Sequence, residues 1–397
     1  MRIGKLLFGA FICFFICFMF LMAYVVQQSL PSTLIVNDIS AYEKNGIVST
    51  TFLPTELAET SSSSNFVKGT LKVKFLGINI KNVDIYKVEK DEIYACGKTV
   101  GVALQSKGVV VIGQNAILTE DGKVQGCSNI NVGDILCEIE GEPIETADSI
   151  TKIINEKQFQ GKELVAKLKR NGEIKYLTIK PKLDKQSQSY KLGLWVRDDA
   201  SGIGTMTYIK PDTLQFGALG HPISDLDTGA ILDVFDGNLY KCSILALEKG
   251  TRGRAGEMKG IFVQSQNTLG QVTKNTEFGI YGNASKDLLT QCKKVKIGGR
   301  ATAKAGKAKI LCSLDGKNIE EFDIEIIKTN IKKNTNKSLV FKVTDKDLIE
   351  RTGGIIQGMS GSPIIQNGRL IGAVTHVFIN DATKGFGVYL DLMLENN

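Results

Sequence analysis

Apolar positions along this chain follow three different patterns. The first is one unbroken run, Leu6 to Val26, without a charge. About 20 helical residues span a bilayer core of roughly 30 Å, so the run predicts a membrane-crossing helix within residues 1–30. Arg2 and Lys5 precede it, and basic residues stay on the cytoplasmic side, which sends the rest of the chain outward. A cleaved signal peptide competes with this reading. The run is long for a signal segment and no A-x-A site follows, which favours an uncleaved anchor. The second pattern is strict alternation, as in Leu71-Lys72-Val73-Lys74-Phe75, which predicts two short strands in residues 67–92. Residues 31–92 thus read as a linker with a small β region. Within it, Ser61 to Asn65 is a polar, protease-accessible tract.

The third pattern fills the rest of the chain: short apolar runs punctuated by glycine. In residues 93–184, Gly101–Leu104 and Gly108–Ile112 read as strands. A Gly133-Asp134-Ile135-Leu136 turn follows, then a helix from Ala147 to Glu156 with Ile150, Ile153 and Ile154 on one face. Leu164–Lys169 and Ile174–Ile179 close this small α+β unit. From residue 186 to 397 the chain predicts many short strands and few helices. Examples are Gly204–Ile209, Ile223–Asp225, Ala308–Ser313, Phe322–Lys328 and Ser338–Val343. Such spacing indicates a β barrel or sandwich.

Composition adds few constraints. With 397 residues, 43% hydrophobic and 23% charged, the chain has material for two or three cores. The net charge of +7 is spread over lysines that read as solvated surface, and no nucleic-acid motif accompanies it. Only two histidines are present, which argues against a histidine zinc site; no metal and no cofactor are expected. Of the eight cysteines, Cys13 and Cys17 lie in the apolar run and the other six show no C-x-x-C pair. Most read as small core residues, and a Cys127–Cys137 disulfide is compatible with the outer side of a membrane.

The candidate chemistry lies in Gly358-Met359-Ser360-Gly361-Ser362-Pro363, followed by an apolar run, the turn Asn367-Gly368 and a second apolar run. A serine between glycines, leading into a hairpin, suits a nucleophile beside inward-turned backbone N–H groups. A serine hydroxyl needs a base. His221, in a glycine-bounded loop, is favoured. His376, on the strand after Ser360, reads as a cleft-lining or core residue. Asp225, Asp227, Asp345 and Asp347 are candidates to orient the base, and position does not choose among them. Asp345 equally suits the N-cap of a short helix.

The serine loop with its hairpin resembles that of chymotrypsin-like proteases, and residues 93–184 resemble a PDZ domain of the bacterial protease type. The segments Ala200–Thr207, Gly217–His221 and Val343–Val377 resemble the stage IV sporulation protein B (SpoIVB) serine peptidase family, over nearly the whole chain. The resemblance implies a mostly β fold, with a PDZ domain and a chymotrypsin-like double β-barrel peptidase domain behind a transmembrane anchor. It implies Ser360 as nucleophile, His221 as base and Asp345 as third member of a triad. The N–H groups of Gly358 and Ser360 would form the oxyanion hole, and Val100, Gly101 and Val102 the peptide-binding loop of the PDZ domain. It further implies a forespore membrane location, with the catalytic part between the two membranes. There the enzyme would cut a membrane-bound regulator of an intramembrane metalloprotease, trigger a mother-cell sigma factor, and cleave itself. Competing readings are a non-catalytic PDZ adaptor and a secreted housekeeping protease.

Overall fold

Leu6 to Val26 cannot shed its apolar surface except into lipid or a protein core, and its residues form one helix, α1 (Arg2–Ser29). Its window Ala10–Ser29 has a mean hydropathy of 2.4, and none of it is buried by the rest of the chain. By length and composition it can cross a membrane. The computed structural model describes residues 2–31, 33–36, 45–54, 66–88, 92–262, 268–331 and 334–397. The expected cleavage tract Ser61–Asn65 lies outside the described residues.

After α1 comes a four-stranded sheet in the order Thr33–Val36, Ile78–Val88, Phe66–Phe75, Val48–Pro54. The alternation of Leu71 and Val73 with lysines puts both on one face. There they bury against Leu34, Val36, Val83 and Ile85.

The remainder is mostly β. Its organising element is a 16-residue strand, Thr99–Gln114. The N-terminal half of this strand packs Val100, Val102 and Leu104 with Met206, Phe216, Leu239 and Ile280. Its C-terminal half packs Val109 and Val111 with Leu136, Ile139, Leu164, Ala166 and Leu168. Helix α2 (Ala147–Ile154) covers this second core with Ile150, Ile153 and Ile154, the face its spacing predicts. Thr146 caps it, and Ser149 returns the bond to the Thr146 N–H.

A closed sheet carries the rest of the chain. A third core gathers Ile310, Phe322, Ile324, Phe341, Val343, Met359, Ile364 and Val374. The strands Gly306–Cys312, Glu320–Thr329 and Leu339–Val343 that build it lie where alternation predicts them. The stretch Ile223–Asp225 does not form the expected strand: Ser224 makes only an isolated bridge to Ile231, because the chain curls around the Asp225 carboxylate. Near the C-terminus, helix α3 (Lys346–Thr352) leads into the serine loop, and helix α4 (Leu390–Glu395) ends the chain. Arg300 and Asp391, both fully buried, pair with each other and fasten the loop at Arg300 to α4. A Cys96–Cys292 disulfide spans 196 residues, while Cys127 and Cys137 are free, so the suggested Cys127–Cys137 bridge is not formed.

Candidate active site

The hairpin after Ser360 is the strand pair Pro363–Gln366 and Arg369–Phe378, with Gln366 opposite Arg369. Asn367 (φ 51°) and Gly368 (φ 73°) supply the left-handed turn that matches strand twist. The loop before it is held by its carbonyls. Thr205 N–H donates to Ser360 O (2.9 Å), Thr205 Oγ1 to Gly358 O (2.8 Å), and Thr207 Oγ1 to Gly361 O (2.8 Å). Thr205 and Thr207 are two apart on strand Leu194–Ile209, so both hydroxyls face the loop. Gly361 closes the seam: its φ is 96°, and a Cβ there would lie 2.0 Å from Thr205 O and 2.5 Å from Leu219 N. No larger residue fits. Among the described residues the Ser360 N–H makes no turn or loop bond to a backbone carbonyl, and Gly358 follows Gln357, which pairs with Glu257 in a parallel ladder.

The histidine loop lies against the same seam. Leu219 N–H donates to Thr205 O (3.2 Å). A Cβ on Gly220 would sit 2.9 Å from Thr375 Cγ2 and 3.4 Å from Val374 O. Ser360 Oγ donates to Thr375 O at 2.8 Å. Ser360, His221 and the strand carrying His376 therefore lie side by side, with Ser360, His221 and His376 each half-buried. The two imidazoles lie 5.3 Å apart, tilted by 45°. His221 Nδ1 is 2.8 Å from Pro222 O, an acceptor only, so Nδ1 carries the proton and Nε2 keeps its lone pair. Burial lowers the His221 pKa below its usual value. His376 is pushed down to about 4 by burial, with smaller contributions from His221 and Lys337. Its Nδ1 is buried without a hydrogen-bond partner among the described residues.

The expected third member stands elsewhere. Asp345 is the N-cap of α3: its carboxylate accepts from Leu348 N–H (3.0 Å) and Asp323 N–H (3.3 Å). Among the described residues no carboxylate hydrogen-bonds His221. Asp347 pairs with Arg351 at 2.9 Å. Asp225 and Asp227 are both bound by Arg197.

Val100, Gly101 and Val102 lie mid-strand with both edges filled. Val102, for example, faces Gly202 on one side and Leu239 on the other. A peptide adds to a sheet only at a free edge, so these residues offer it none. A groove of about 550 Å³ does exist, between α2 and Asn115–Leu118, with Tyr190–Val196 along it. Along it Leu194 and Trp195 pair with Gln114 and Gly113 on one side, and among the described residues no second strand pairs with them on the other.

Sequence reasoning placed His376 as a cleft-lining or core residue but did not assign roles to Thr205, Thr207 or Thr375. The alternation Gly204-Thr205-Met206-Thr207 was the available signal, because two hydroxyls at a period of two must share a face. Among the described residues no group of His, Cys, Asp or Glu has metal-site geometry.

Comparison with known proteins gives one family match: the model described as SpoIVB peptidase S55 covers residues 188–394. No curated protein matches the chain. Among solved structures, the Rv3671c protease in its inactive form is 15% identical, with a TM-score of 0.28 over 49% of this chain and 82% of that one. The active form of Rv3671c protease from M. tuberculosis is 14% identical, with a TM-score of 0.28 over 50% and 73%.

Proposed function

The chain belongs to the SpoIVB peptidase S55 family, and on that premise we propose that it is a membrane-anchored serine endopeptidase with Ser360 as nucleophile and His221 as base. One observation carries the assignment: Thr205 binds both the serine loop, at Ser360 O, and the histidine loop, at Leu219 N. One residue thus sets the distance between nucleophile and base. In the resting arrangement the Ser360 hydroxyl is turned to Thr375 O. Rotation about χ1 would release it toward His221 Nε2, which takes the proton as Oγ attacks a peptide carbonyl. The N–H groups of Gly358 and Ser360, beside the nucleophile, would serve the developing oxyanion, as the family resemblance implies. His221, kept neutral by burial, is ready to act as a base at neutral pH. Asp345 enters this proposal as the residue that fixes the start of α3, ahead of the serine loop.

The family supports the finer reading. The substrate would be the extracytoplasmic part of a membrane-bound regulator of an intramembrane metalloprotease, cut between the two membranes of the forespore to activate a mother-cell sigma factor. Self-cleavage, a chymotrypsin-like double barrel and a PDZ domain within residues 93–184 belong to the same proposal. The test is incubation of residues 33–397, with and without Ser360→Ala, followed by intact mass measurement. Fragments from the unmodified chain alone are expected. Loss of a triad member typically costs about 10⁴–10⁶ in kcat, so intact chain in both samples, with the presumed regulator also uncut, would refute the assignment.

A further inference from the structure

Resting on the serine-peptidase reading, we propose that Arg197 and Asp225 are positioning residues for the base, and that they tie the His221 loop to helix α2. Among the described residues His221 has no carboxylate partner; its Nδ1 proton goes to Pro222 O. What fixes that carbonyl is the loop immediately after it.

Asp225 organises this loop. Its side chain is fully buried. Oδ1 accepts from Asp227 N–H (3.1 Å), Thr228 N–H (2.9 Å) and Thr228 Oγ1 (2.8 Å). Oδ2 accepts from Arg197 Nη1 (2.6 Å). Arg197 Nη2 reaches Asp227 Oδ2 at 2.8 Å, so one guanidinium forks across two carboxylates of the loop. Asn275 braces the loop base by accepting from Ile223 N–H and donating to Ile223 O and Leu232 O. With residues 223–232 pinned in this way, the Pro222 carbonyl has a fixed place from which to hold the imidazole.

The other end of the fork leads to α2. Asp198, next to Arg197, accepts from the N–H of Ala147, the first residue of α2, at 2.9 Å. Pairing with strand Thr99–Gln114 shifts register between Arg197 and Asp199. Bulges of this kind re-aim side chains and recur beside active sites. Consecutive residues thus grip the helix on one side and the histidine loop on the other. A displacement of α2 would reach Asp225 through two hydrogen bonds and one peptide unit, and the base through the backbone from Asp225 to Pro222 and the Pro222 O–Nδ1 bond.

The experiment compares Arg197→Gln, Arg197→Lys and Asp225→Asn with Arg170→Gln. Arg170 holds both oxygens of the buried Asp134 carboxylate through Nε and Nη2 and reaches Asn129 O, none of them in the 223–232 loop, so it controls for loss of an ion pair. Arg197→Gln and Asp225→Asn are expected to lower kcat by about 10- to 100-fold, as for a misplaced catalytic group, with KM little changed. Arg197→Lys should recover part of the loss, and Arg170→Gln should lower the thermal midpoint while leaving kcat intact. The second readout needs no turnover. The chain has only two histidines, so imidazole NMR of the Ser360→Ala protein resolves them. Arg197→Gln should shift or broaden the His221 signal, and Arg170→Gln should not. A His221 signal and a kcat that respond alike to both variants would overturn the proposal. Absence of hydrolysis by the unmodified chain would instead refute the peptidase reading, with the NMR comparison still deciding whether Arg197 positions the imidazole.

Discussion

Asp345 offers the sharpest test of how this site is built. The family resemblance makes it a catalytic acid, whereas its geometry makes it a helix cap, and the two roles differ by orders of magnitude. Removing an N-cap side chain costs about 1 kcal/mol, within a range of roughly 0.5–2. Asp345 also accepts a second, longer bond from Asp323 N–H, which keeps the estimate in the middle of that range. In a unit of about 200 residues, 1 kcal/mol moves the thermal midpoint by about 2–4 °C. Asp345→Ala should therefore lower the midpoint by a few degrees. Asp345→Ser, which keeps a capping oxygen, should restore most of it. If capping is the whole role, Asp345→Ser should also keep kcat within about tenfold, because neither oxygen reaches His221. If the residue completes a triad, serine cannot replace its charge, and kcat should fall by about 10⁴. Both variants are measured by thermal unfolding and by hydrolysis of the presumed regulator. Wild-type stability in Asp345→Ser together with a 10⁴-fold loss of kcat would refute the capping account.

Other consequences follow from the same contacts. Burial lowers the pKa of His221, so the acid limb of kcat/KM should have its midpoint below the ordinary histidine value of about 6.5; a midpoint above it would contradict a buried neutral base. Both imidazoles bind a proton more readily in the unfolded chain, so stability should fall as pH drops from about 6.5, and the His376 part of that loss should level off near its pKa of about 4. Asp391→Asn leaves the Arg300 charge buried and unpaired, and denaturant unfolding should show a loss of about 3–5 kcal/mol. Reducing the Cys96–Cys292 disulfide should cost about 2–4 kcal/mol by the same measure, and Cys127→Ala with Cys137→Ala should leave the redox dependence unchanged.

Much of this was legible from local pattern. The hairpin after Ser360 follows from alternation plus an Asn-Gly turn, and the buried face of α2 from isoleucines at helical spacing. Both are decided by neighbours in sequence. Val100–Val102 show the limit: an alternating run announces a strand but does not say which edges are free. Here both edges are closed by segments about 100 and 140 residues further on. The Cys96–Cys292 bond is hidden for the same reason. Asp345 was ambiguous because a short acid before a helix satisfies a cap and a triad motif equally well. The Arg197–Asp225 contact carries no local signal at all: it exists only because strand Leu194–Ile209 and the loop after His221 converge.

The strand Thr99–Gln114, whose two halves belong to two cores, bears on how the chain can be taken apart. A shortened chain beginning at residue 186 loses it whole. Strand Leu194–Ile209 would then lack its longest partner, and Val234–Glu248 would lose another. Two unpaired edges invite self-association. Such a fragment would test aggregation rather than release from restraint. Proteolysis that separates the α2 unit from the catalytic seam must likewise cut through the fold, so a cell that removed this unit would discard the enzyme rather than unleash it.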